Sequence, residues 1–470
     1  MRSGSTKSSI ATWTDRLRAA ALSPVDPAGL VAFRVLFGLL AAFGAARFLW
    51  LGWVERSFVQ PTFFFHYWGF DWVEPLSATG MRALFATMIV CGVLIALGAL
   101  YRLASATFFL VFTYVELIDV TNYLNHYYLL SLLALLVTAL PLHRAYSVDA
   151  WLRPGLALGR FPAWWSWVLR GQVATVYFYA AIAKATADWL LHGQPLGIWL
   201  ASRGDVPLVG PLLEQPWLPL AMSWGGFLYD LTIWIWLLVP RTRPFAYLAV
   251  LGFHGAVGLL FPIGMFPWIM VIATTVFFAP EWPRRLLGAL GRRTEAPAPS
   301  GAAPRLGPLA VLLALHVAVQ VLVPLRAFAY GGNVLWHEQG MRWSWRVMAR
   351  EKNGSVTFRV RARGWSRERL VSPSDYLTPV QEREMVTQPD LILQLAHHVR
   401  DELRARGLED VEVRVDARAS LNGRPMAPFV DPEVDLAAIE DSLRPAAWIL
   451  PAPSGPPPHL TPRAVAVGAR

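Results

Sequence analysis

Apolar runs separated by short polar stretches occupy the first two thirds of this chain of 470 residues. Each run has roughly 16 to 25 residues, and about 20 residues of helix cross about 30 Å of hydrocarbon at a rise of about 1.5 Å per residue. The pattern predicts about nine transmembrane helices, near residues 29–53, 80–101, 103–121, 127–142, 168–190, 217–239, 245–261, 264–280 and 307–325.

Positive charges alternate between consecutive loops. Lys and Arg occur before the first run, at Arg102, and in the loops after the fourth, sixth and eighth runs. The intervening loops contain few of them, as in 54–79, 122–126 and 191–216. Because cytoplasmic loops carry an excess of Lys and Arg, the N-terminus is predicted to be cytoplasmic, and nine spans would then put the C-terminus on the outer side.

The composition changes after about residue 338, where shorter alternating segments replace the long apolar runs. The stretch SWRVMAREKNGSVTFRVRAR predicts two strands around a Lys-Asn-Gly turn. Residues 378–406 predict an amphipathic helix that ends at Gly407. The stretch DVEVRVDARASLNGRPMAPFV predicts a strand pair with its turn at Asn422-Gly423.

These patterns together predict a polytopic α-helical membrane protein with a C-terminal extramembrane α+β domain. A Pro/Ala/Gly-rich segment at 286–306 is predicted to be a cytoplasmic linker before the last span. The predicted divisions are a cytoplasmic segment 1–28, a transmembrane domain 29–326, an extracytoplasmic domain 327–451 and a Pro-rich disordered tail 452–470.

Composition and charge narrow the function classes. With 55% hydrophobic and only 16% charged residues, the chain lacks the charged surface that a soluble protein of this size needs. The net charge is +10, but the arginines lie between apolar runs and not on one basic face, so no nucleic-acid partner is predicted. The single cysteine, Cys91, excludes an intramolecular disulfide and a CxxC metal site. No P-loop, GxSxG or HExxH motif occurs, and no metal is predicted.

Lys184 is the first candidate for chemistry, because it lies inside an apolar run. It follows Arg170 by 14 residues, which places it roughly 20 Å into the membrane at helical rise. An ionisable group at that depth is expensive and therefore a functional hypothesis, and a desolvated amine is suited to act as a base. The alternative is that Lys184 extends outward or pairs with Asp188, one turn later.

His126 and Asn125 open the fourth run among aromatic residues. They are candidate polar site residues on the outer side, but His and Tyr also favour the membrane boundary for purely structural reasons. His254 lies in the middle of a predicted span, where a packing histidine is the competing interpretation. Pro262, Gly264 and Pro267 nearby suggest broken helices that line a cavity.

Six segments, in order and with similar spacing, resemble the vitamin K-dependent γ-glutamyl carboxylases and their bacterial relatives, the horizontally transferred transmembrane domain group. The resemblance covers roughly residues 29–453. The segments are NHYYL, YFYAAIAKATADWLLHGQPL, FPIGMFPWIMVIATTVFFAPEWPRRLL, WHEQGMRWSWRVMAREKNGSVTFRV, YLTPVQEREMVTQPDLILQLAHHV and SLNGRPMAPFVDPEVDLAAIEDSLRPAAWILP.

The resemblance implies a reaction and roles for particular residues. In the family a lysine deprotonates reduced vitamin K, which O2 oxidises to the epoxide, and this drives removal of a γ-hydrogen from peptidyl glutamate and addition of CO2. The family lysine matches Lys184, and the histidine needed for carboxylation matches His126. The implied substrate-binding residues are Asn125, Trp343, Trp345, Arg346 and Met348. The expected quinone pocket includes Tyr177, Trp189 and His254.

The expected cofactor is a reduced vitamin K or menaquinol-type hydroquinone, with O2 and CO2 as co-substrates and no metal. The expected partners are the lipid bilayer, a Glu-containing peptide and a quinone reductase that recycles the product. As a bacterial member, the protein would be a multi-pass protein of the cell inner membrane.

The chain also departs from the family pattern. With one cysteine it is not expected to form the disulfide of the eukaryotic enzymes, and their distal domain is expected to be missing. Ala327 and Met341 stand where relatives often have histidine. Two alternatives therefore remain open: a quinol epoxidase without carboxylation, and a non-catalytic quinone-binding or transport protein.

Overall fold

The structure is a computed structural model that describes residues 15–16, 18–292 and 307–458. Most of the predicted linker 286–306 and the predicted disordered tail from residue 459 onward lie outside the described residues, as do residues 1–14 of the predicted cytoplasmic segment.

The first part of the described chain is helical, with one two-stranded antiparallel sheet that joins the segment before the first helix to the segment before Ala163. That sheet pairs β1 (Pro24–Val25) with β2 (Phe161–Pro162). The helices are α1 (Ala28–Trp50), α2 (Ala78–Leu97), α3 (Tyr101–Ile118), α4 (Asn125–Ala139), α5 (Val148–Leu152), α6 (Ala163–Lys184), α7 (Ala187–Leu190), α8 (Leu196–Ala201), α9 (Gly210–Leu213), α10 (Leu218–Leu238), α11 (Arg243–Leu260), α12 (Phe266–Thr274), α13 (Trp282–Ala289) and α14 (Gly307–Leu325).

Five of the described helices are long and apolar enough to cross a membrane. They are Ala28–Trp50, Ala78–Leu97, Tyr101–Ile118, Arg243–Leu260 and Val311–Tyr330. The protein is therefore an α-helical membrane protein, and the count of nine spans stays a prediction. Two further long helices, α6 and α10, have 22 and 21 residues and contain the buried ionisable residues Lys184 and Asp230.

The first two helices pack closely enough that their backbones touch. A Cβ atom on Gly38 of α1 would lie 2.5 Å from the carbonyl oxygen of Gly92 on α2, and one on Gly92 would lie 2.7 Å from the amide nitrogen of Ala42. Small residues allow such close packing between helices in membranes, where the hydrophobic effect does not drive helices together.

Helix α6 differs in extent from the span predicted at 168–190. It begins at Ala163 and ends at Lys184, and the short helix α7 follows after a two-residue break. Thr186 starts α7, since its side-chain oxygen accepts a hydrogen bond from the backbone N–H of Trp189 at 3.3 Å. The lysine is therefore the last residue of its helix and not an interior one.

The second part of the described chain contains a four-stranded antiparallel sheet and two main helices. The sheet order is β4-β3-β5-β6, and its longest pairing runs from Lys352 opposite Leu421 to Arg361 opposite Glu412. The elements are α15 (Val334–His337), β3 (Lys352–Arg361), β4 (Arg369–Val371), α16 (Pro379–Met385), α17 (Pro389–Ala405), β5 (Glu412–Leu421) and β6 (Ala427–Pro428).

Alternate residues of the strands pack against helix α17. Val356, Phe358 and Val360 are buried on one face of β3 because successive side chains of a strand point to opposite faces. Leu391 and Leu395, four residues apart on α17, belong to the same core. This core also holds Phe65, Tyr67 and Val120 from the loops of the helical part, so the two parts share buried apolar contacts.

Two local predictions in this part need correction, and one is confirmed. No turn occurs at Lys352-Asn353-Gly354, because Gly354 lies within β3 opposite Ala419. A Cβ on Gly354 would lie 2.4 Å from the carbonyl oxygen of Val386, so the glycine permits close packing. The helix predicted at 378–406 is divided into α16 and α17, and Pro389 stands at the start of the second. The turn at Asn422-Gly423 is confirmed, since both residues have positive φ between β5 and β6.

Candidate functional site

Lys184 forms a buried ion pair with Asp230. Its ammonium group donates a hydrogen bond to Asp230 Oδ2 at 2.8 Å and a longer one to the carbonyl oxygen of Ala180 at 3.4 Å. The two side chains are each 7% exposed. A buried pair of this kind stabilises a fold poorly compared with apolar residues of similar volume, because desolvation offsets the attraction. Its presence inside a helical bundle therefore points to a function.

Asp230 was not among the sequence-predicted site residues. It lies 46 residues from Lys184 in the chain, in the apolar helix α10. The sequence signal that marks Lys184, an ionisable residue inside an apolar run, also marks Asp230, whose carboxylate lies in the run predicted at 217–239. The pairing itself had no signal, since the two residues lie on different helices.

Asp188, the alternative partner suggested by spacing, does not neutralise Lys184. Its carboxylate accepts hydrogen bonds from Arg424 Nη1 at 2.7 Å, Arg424 Nη2 at 2.6 Å and Asn422 Nδ2 at 2.8 Å. Arg424 and Asn422 belong to the segment that links β5 to β6. After the helix break that follows Lys184, Asp188 pairs with the C-terminal part of the chain.

The Asp188–Arg424 pair anchors the segment that directly follows Lys184. We expect Arg424→Met to remove two charge-assisted hydrogen bonds from a largely buried carboxylate, which is 13% exposed, at a cost of about 1.5–3 kcal/mol in stability. Hydrogen-exchange mass spectrometry should show faster exchange in residues 186–200.

Arg363→Met is the matched control for that substitution. Arg363 pairs with Glu409, and both side chains are about two-thirds exposed. An exposed pair contributes about 0–1 kcal/mol, so this variant should leave exchange in residues 186–200 unchanged. Equal exchange in the two variants would show that Arg424 does not anchor the segment.

A cavity opens beside the Lys184–Asp230 pair, and its remaining wall is mostly apolar. The space between atoms is about 660 Å³, which includes solvent space at the open side. The three residues expected to form a quinone pocket, Tyr177, Trp189 and His254, all line it. The other lining residues are Val176, Ala180, Leu196, Met222, Gly226, Phe253, Val257, Phe261, Phe266, Met270, Val347 and Met348.

Few polar groups reach this cavity besides the ion pair. The Tyr177 hydroxyl lies 3.1 Å from His254 Nε2 and 3.4 Å from the Tyr229 hydroxyl. The indole N–H of Trp189 donates to the carbonyl oxygen of Ser223 at 2.8 Å, and its ring lies 5.5 Å from Lys184 Nζ. The cavity is thus an apolar slot with one ion pair and one tyrosine–histidine contact on its wall.

His126 and Asn125 line a second cavity, next to the first. The two cavities share Phe266, Val347 and Met348 as lining residues. The ring of Phe266 lies 6.0 Å from the His126 ring and 5.7 Å from the His254 ring, centroid to centroid. Phe266 therefore stands between the histidines of the two cavities.

The structure does not bring the expected substrate-binding residues together at one place. Met348 lines both cavities, and Asn125 lines the second one, with its Oδ1 accepting from the Tyr123 hydroxyl at 3.2 Å. Trp345 is fully buried and stacks on Tyr128 at 4.8 Å. Among the described residues, Trp343, Trp345 and Arg346 lie outside the linings of these two cavities.

Arg346 and Trp343 have other surroundings. Arg346 is buried, and its guanidinium carbon lies 5.8 Å from the Phe328 ring. Trp343 stacks on Tyr67 at 5.4 Å and lines a third cavity, formed mostly by the C-terminal part of the chain. Asp441 lines the same cavity, and burial raises the pKa of its carboxyl to about 6. Trp343 thus belongs to a different surface from Lys184 and His126.

Two known families match the chain. Residues 22–282 match the HTTM domain, and residues 307–455 match the vitamin K-dependent gamma-carboxylase, lumenal domain. The first range contains Lys184, Asp230 and His126, and the second contains Met348. No solved structure matches the chain. The order of the two domains and their extent show that the chain belongs to the vitamin K-dependent gamma-carboxylase family.

Proposed function

We propose that this protein is a vitamin K-dependent gamma-carboxylase-like enzyme that couples oxidation of a hydroquinone to carboxylation of peptidyl glutamate. The observation that carries the proposal is the Lys184–Asp230 pair on the wall of an apolar cavity, with the His126 cavity beside it. Family membership supports the same activity class. A purely structural ion pair would not need a cavity on one side.

The cavity beside Lys184 fits a flat apolar ring system with a hydroxyl group. Its wall is mostly aliphatic and aromatic, and small-molecule sites commonly combine such a lining with a few oriented polar groups. A bound vitamin K or menaquinol-type hydroquinone would supply an acidic hydroxyl and the reducing electrons for O2. Tyr177, Trp189 and His254 would hold its ring against the pair.

Lys184 and Asp230 together can take one proton. Lys184 accepts the proton of the hydroquinone hydroxyl while it passes one of its own to Asp230 Oδ2, which is already in hydrogen-bonding contact at 2.8 Å. The pair then carries one net positive charge beside the hydroquinone anion, which balances it. Deprotonation inside an apolar site is otherwise disfavoured, because it would leave a buried charge uncompensated.

His126 and Asn125 would serve the carboxylation half of the reaction in the neighbouring cavity. Overall, hydroquinone, O2, peptidyl glutamate and CO2 give the epoxide, water, γ-carboxyglutamate and a proton. In the glutamate the γ C–H bond breaks, its proton passes to the oxygen base that oxidation of the hydroquinone would supply, and its electron pair forms the new bond to CO2. Met348 and Phe266 line both cavities, and the two substrates would meet beside them.

The proposed setting is the bacterial inner membrane, with the N-terminus cytoplasmic and residues 327–451 on the outer side. A hydroquinone would enter from the bilayer and a Glu-containing peptide from the outer side, and a quinone reductase would recycle the product. The match to a lumenal domain supports a non-cytoplasmic location for the C-terminal part.

The proposal is tested by supplying reduced vitamin K, O2, CO2 and a Glu-containing peptide to the full chain in detergent. Epoxide and γ-carboxyglutamate are measured separately, and we expect the unmutated protein to form both. His126→Ala should retain most epoxide formation and lose carboxylation by about 10²-fold or more, since a general acid–base group typically contributes about 10²–10⁴-fold.

The products discriminate between the alternatives. Epoxide without γ-carboxyglutamate from the unmutated protein would support the alternative function, a quinol epoxidase. Equal loss of both products in His126→Ala would assign His126 to hydroquinone binding. Formation of neither product, with menaquinol as well as vitamin K hydroquinone, would favour a non-catalytic quinone-binding protein.

A further inference from the structure

The His126 cavity has a cationic wall. Arg47, Asn125, His126 and Tyr127 are its main polar lining residues, and Asp and Glu do not occur among the lining residues that the structure describes. The rest of the wall is aromatic or aliphatic, and it is completed by Trp53, Leu124, Pro262, Ile263, Gly264, Phe266, Val347 and Met348. A cavity with one guanidinium and no carboxylate has the chemistry of an anion site.

Arg47 is the residue that gives this cavity its charge. It lies in the last turn of α1, with its guanidinium carbon 4.6 Å above the ring of Trp53. Its side chain also interacts with the hydroxyl of Tyr127. Its Nε is buried without a hydrogen-bond partner, and within the described part of the chain no carboxylate lies within 4.0 Å of the guanidinium.

Other arginines of the helical part donate to backbone carbonyl oxygens. Arg34 donates to four backbone carbonyl oxygens, and Arg170 donates to those of Val276 and Phe278. These arginines tie helices together. Arg47 instead lines a cavity, is half-buried, and pairs with no carboxylate among the described residues.

Space for a ligand exists beside the guanidinium. Gly264 has a positive φ of 60°, and a Cβ atom there would lie 3.7 Å from Arg47 Nη2. A side chain at this position would thus extend into the region next to the guanidinium. The glycine, which lines the same cavity as His126, leaves that region free of a side chain.

We propose that Arg47 binds the γ-carboxylate of the peptidyl glutamate in the His126 cavity. The guanidinium fork matches the two oxygens of a carboxylate, and Asn125 supplies an amide that can orient it. The assignment of the ligand as glutamate rests on the proposed function. In this proposal, Arg47 is the residue that selects glutamate over uncharged side chains.

The position also suits the chemistry of carboxylation. When the γ C–H bond breaks, negative charge develops on the carbon next to the carboxylate, and its electron pair then bonds to CO2. A guanidinium already paired with that carboxylate stabilises the added charge, because a fixed cation in a water-poor site acts strongly on developing charge. Arg47 is therefore a binding residue that also favours the charged transition state.

The test measures selectivity between two labelled peptides that differ only in Glu or Gln, which has the same shape without the charge. Fluorescence anisotropy with the full chain in neutral-lipid nanodiscs gives both dissociation constants. The unmutated protein should prefer the Glu peptide by about 10- to 100-fold, as expected for a charge-assisted pair. In Arg47→Met the ratio should fall to about 1, and Arg47→Lys should give an intermediate value.

Arg102→Met is the matched control, since Arg102 donates to the carbonyl oxygen of Thr138 at 2.6 Å and does not line the cavity. It should keep the unmutated ratio. A preserved Glu preference in Arg47→Met, or no preference in the unmutated protein, overturns the proposal. Nanodiscs of anionic lipid test whether Arg47 instead holds a lipid headgroup. If anionic lipid abolishes the Glu preference of the unmutated protein and has no effect on Arg47→Met, Arg47 holds a headgroup and the proposal is overturned.

The binding ratio separates this proposal from the proposed function. If the unmutated protein forms both products while Arg47→Met keeps its Glu preference, the Arg47 assignment fails and the carboxylase function stands. If the unmutated protein forms neither product but selects Glu through Arg47, the carboxylate site stands and the carboxylase function fails.

Discussion

Replacing Lys184 with alanine should reduce epoxide formation by about 10²–10⁴-fold, the usual contribution of a positioned proton-transfer group. The reason is its location: Lys184 lines the cavity proposed to bind the hydroquinone, and its Nζ lies 2.8 Å from Asp230 Oδ2. Epoxide is measured by chromatography of the quinone products, with and without a Glu peptide. Carboxylation should fall in parallel, because it depends on the oxidation half of the reaction.

Lys184→Arg separates the charge of the lysine from its basicity. An arginine keeps a cation next to Asp230 but does not lose its proton in proteins, so it cannot serve as the base. We expect Lys184→Arg to be nearly as inactive as Lys184→Ala. Substantial epoxide formation by either variant would show that another group deprotonates the hydroquinone.

The sequence was sufficient to locate Lys184 but not to explain it. A lysine inside an apolar run is visible without any structure, because the cost of burying an ionisable group marks it. The spacing suggests pairing with Asp188, one helical turn away, as the structural alternative, since neighbours at i+4 share a helix face. That prediction assumed a continuous helix to residue 190, whereas α6 ends at Lys184 and the chain turns.

Other parts of the site depend on contacts between distant segments, which no local pattern encodes. The shared wall of the two cavities joins Phe266 in α12 to Val347 and Met348 in the segment before β3. Arg47 is visible in the sequence as a charge near the end of the first apolar run, where an arginine would ordinarily indicate the membrane boundary. Only the cavity distinguishes it from such a boundary residue.

In the C-terminal part, too, local sequence patterns predicted some features correctly and others wrongly. Alternation and the Asn-Gly pair predicted β5 and its turn, because both signals are local. The Lys-Asn-Gly triplet carried the same local signal but lies within β3, where Gly354 is needed for the close approach of Val386. A glycine that serves packing cannot be told from a turn glycine without knowing what packs against it.

Asp230→Asn should both destabilise the protein and reduce epoxide formation. Removing one partner of a buried pair typically costs about 3–5 kcal/mol, because the remaining charge is left uncompensated or must be neutralised. We therefore expect a lower unfolding temperature in detergent. Epoxide formation should fall by about 10²-fold, since Lys184 would lose the group to which it passes its proton.

The double variant Lys184→Met, Asp230→Leu distinguishes the two effects of that substitution. Apolar residues of similar volume often replace a buried ion pair without loss of stability, so this variant should unfold at or above the temperature of Asp230→Asn and form no epoxide. A stable, inactive double variant would show that the pair is kept for chemistry and not for the fold. If Asp230→Asn forms epoxide at the unmutated rate, Asp230 only holds Lys184 in place, and the lysine acts as the base without it.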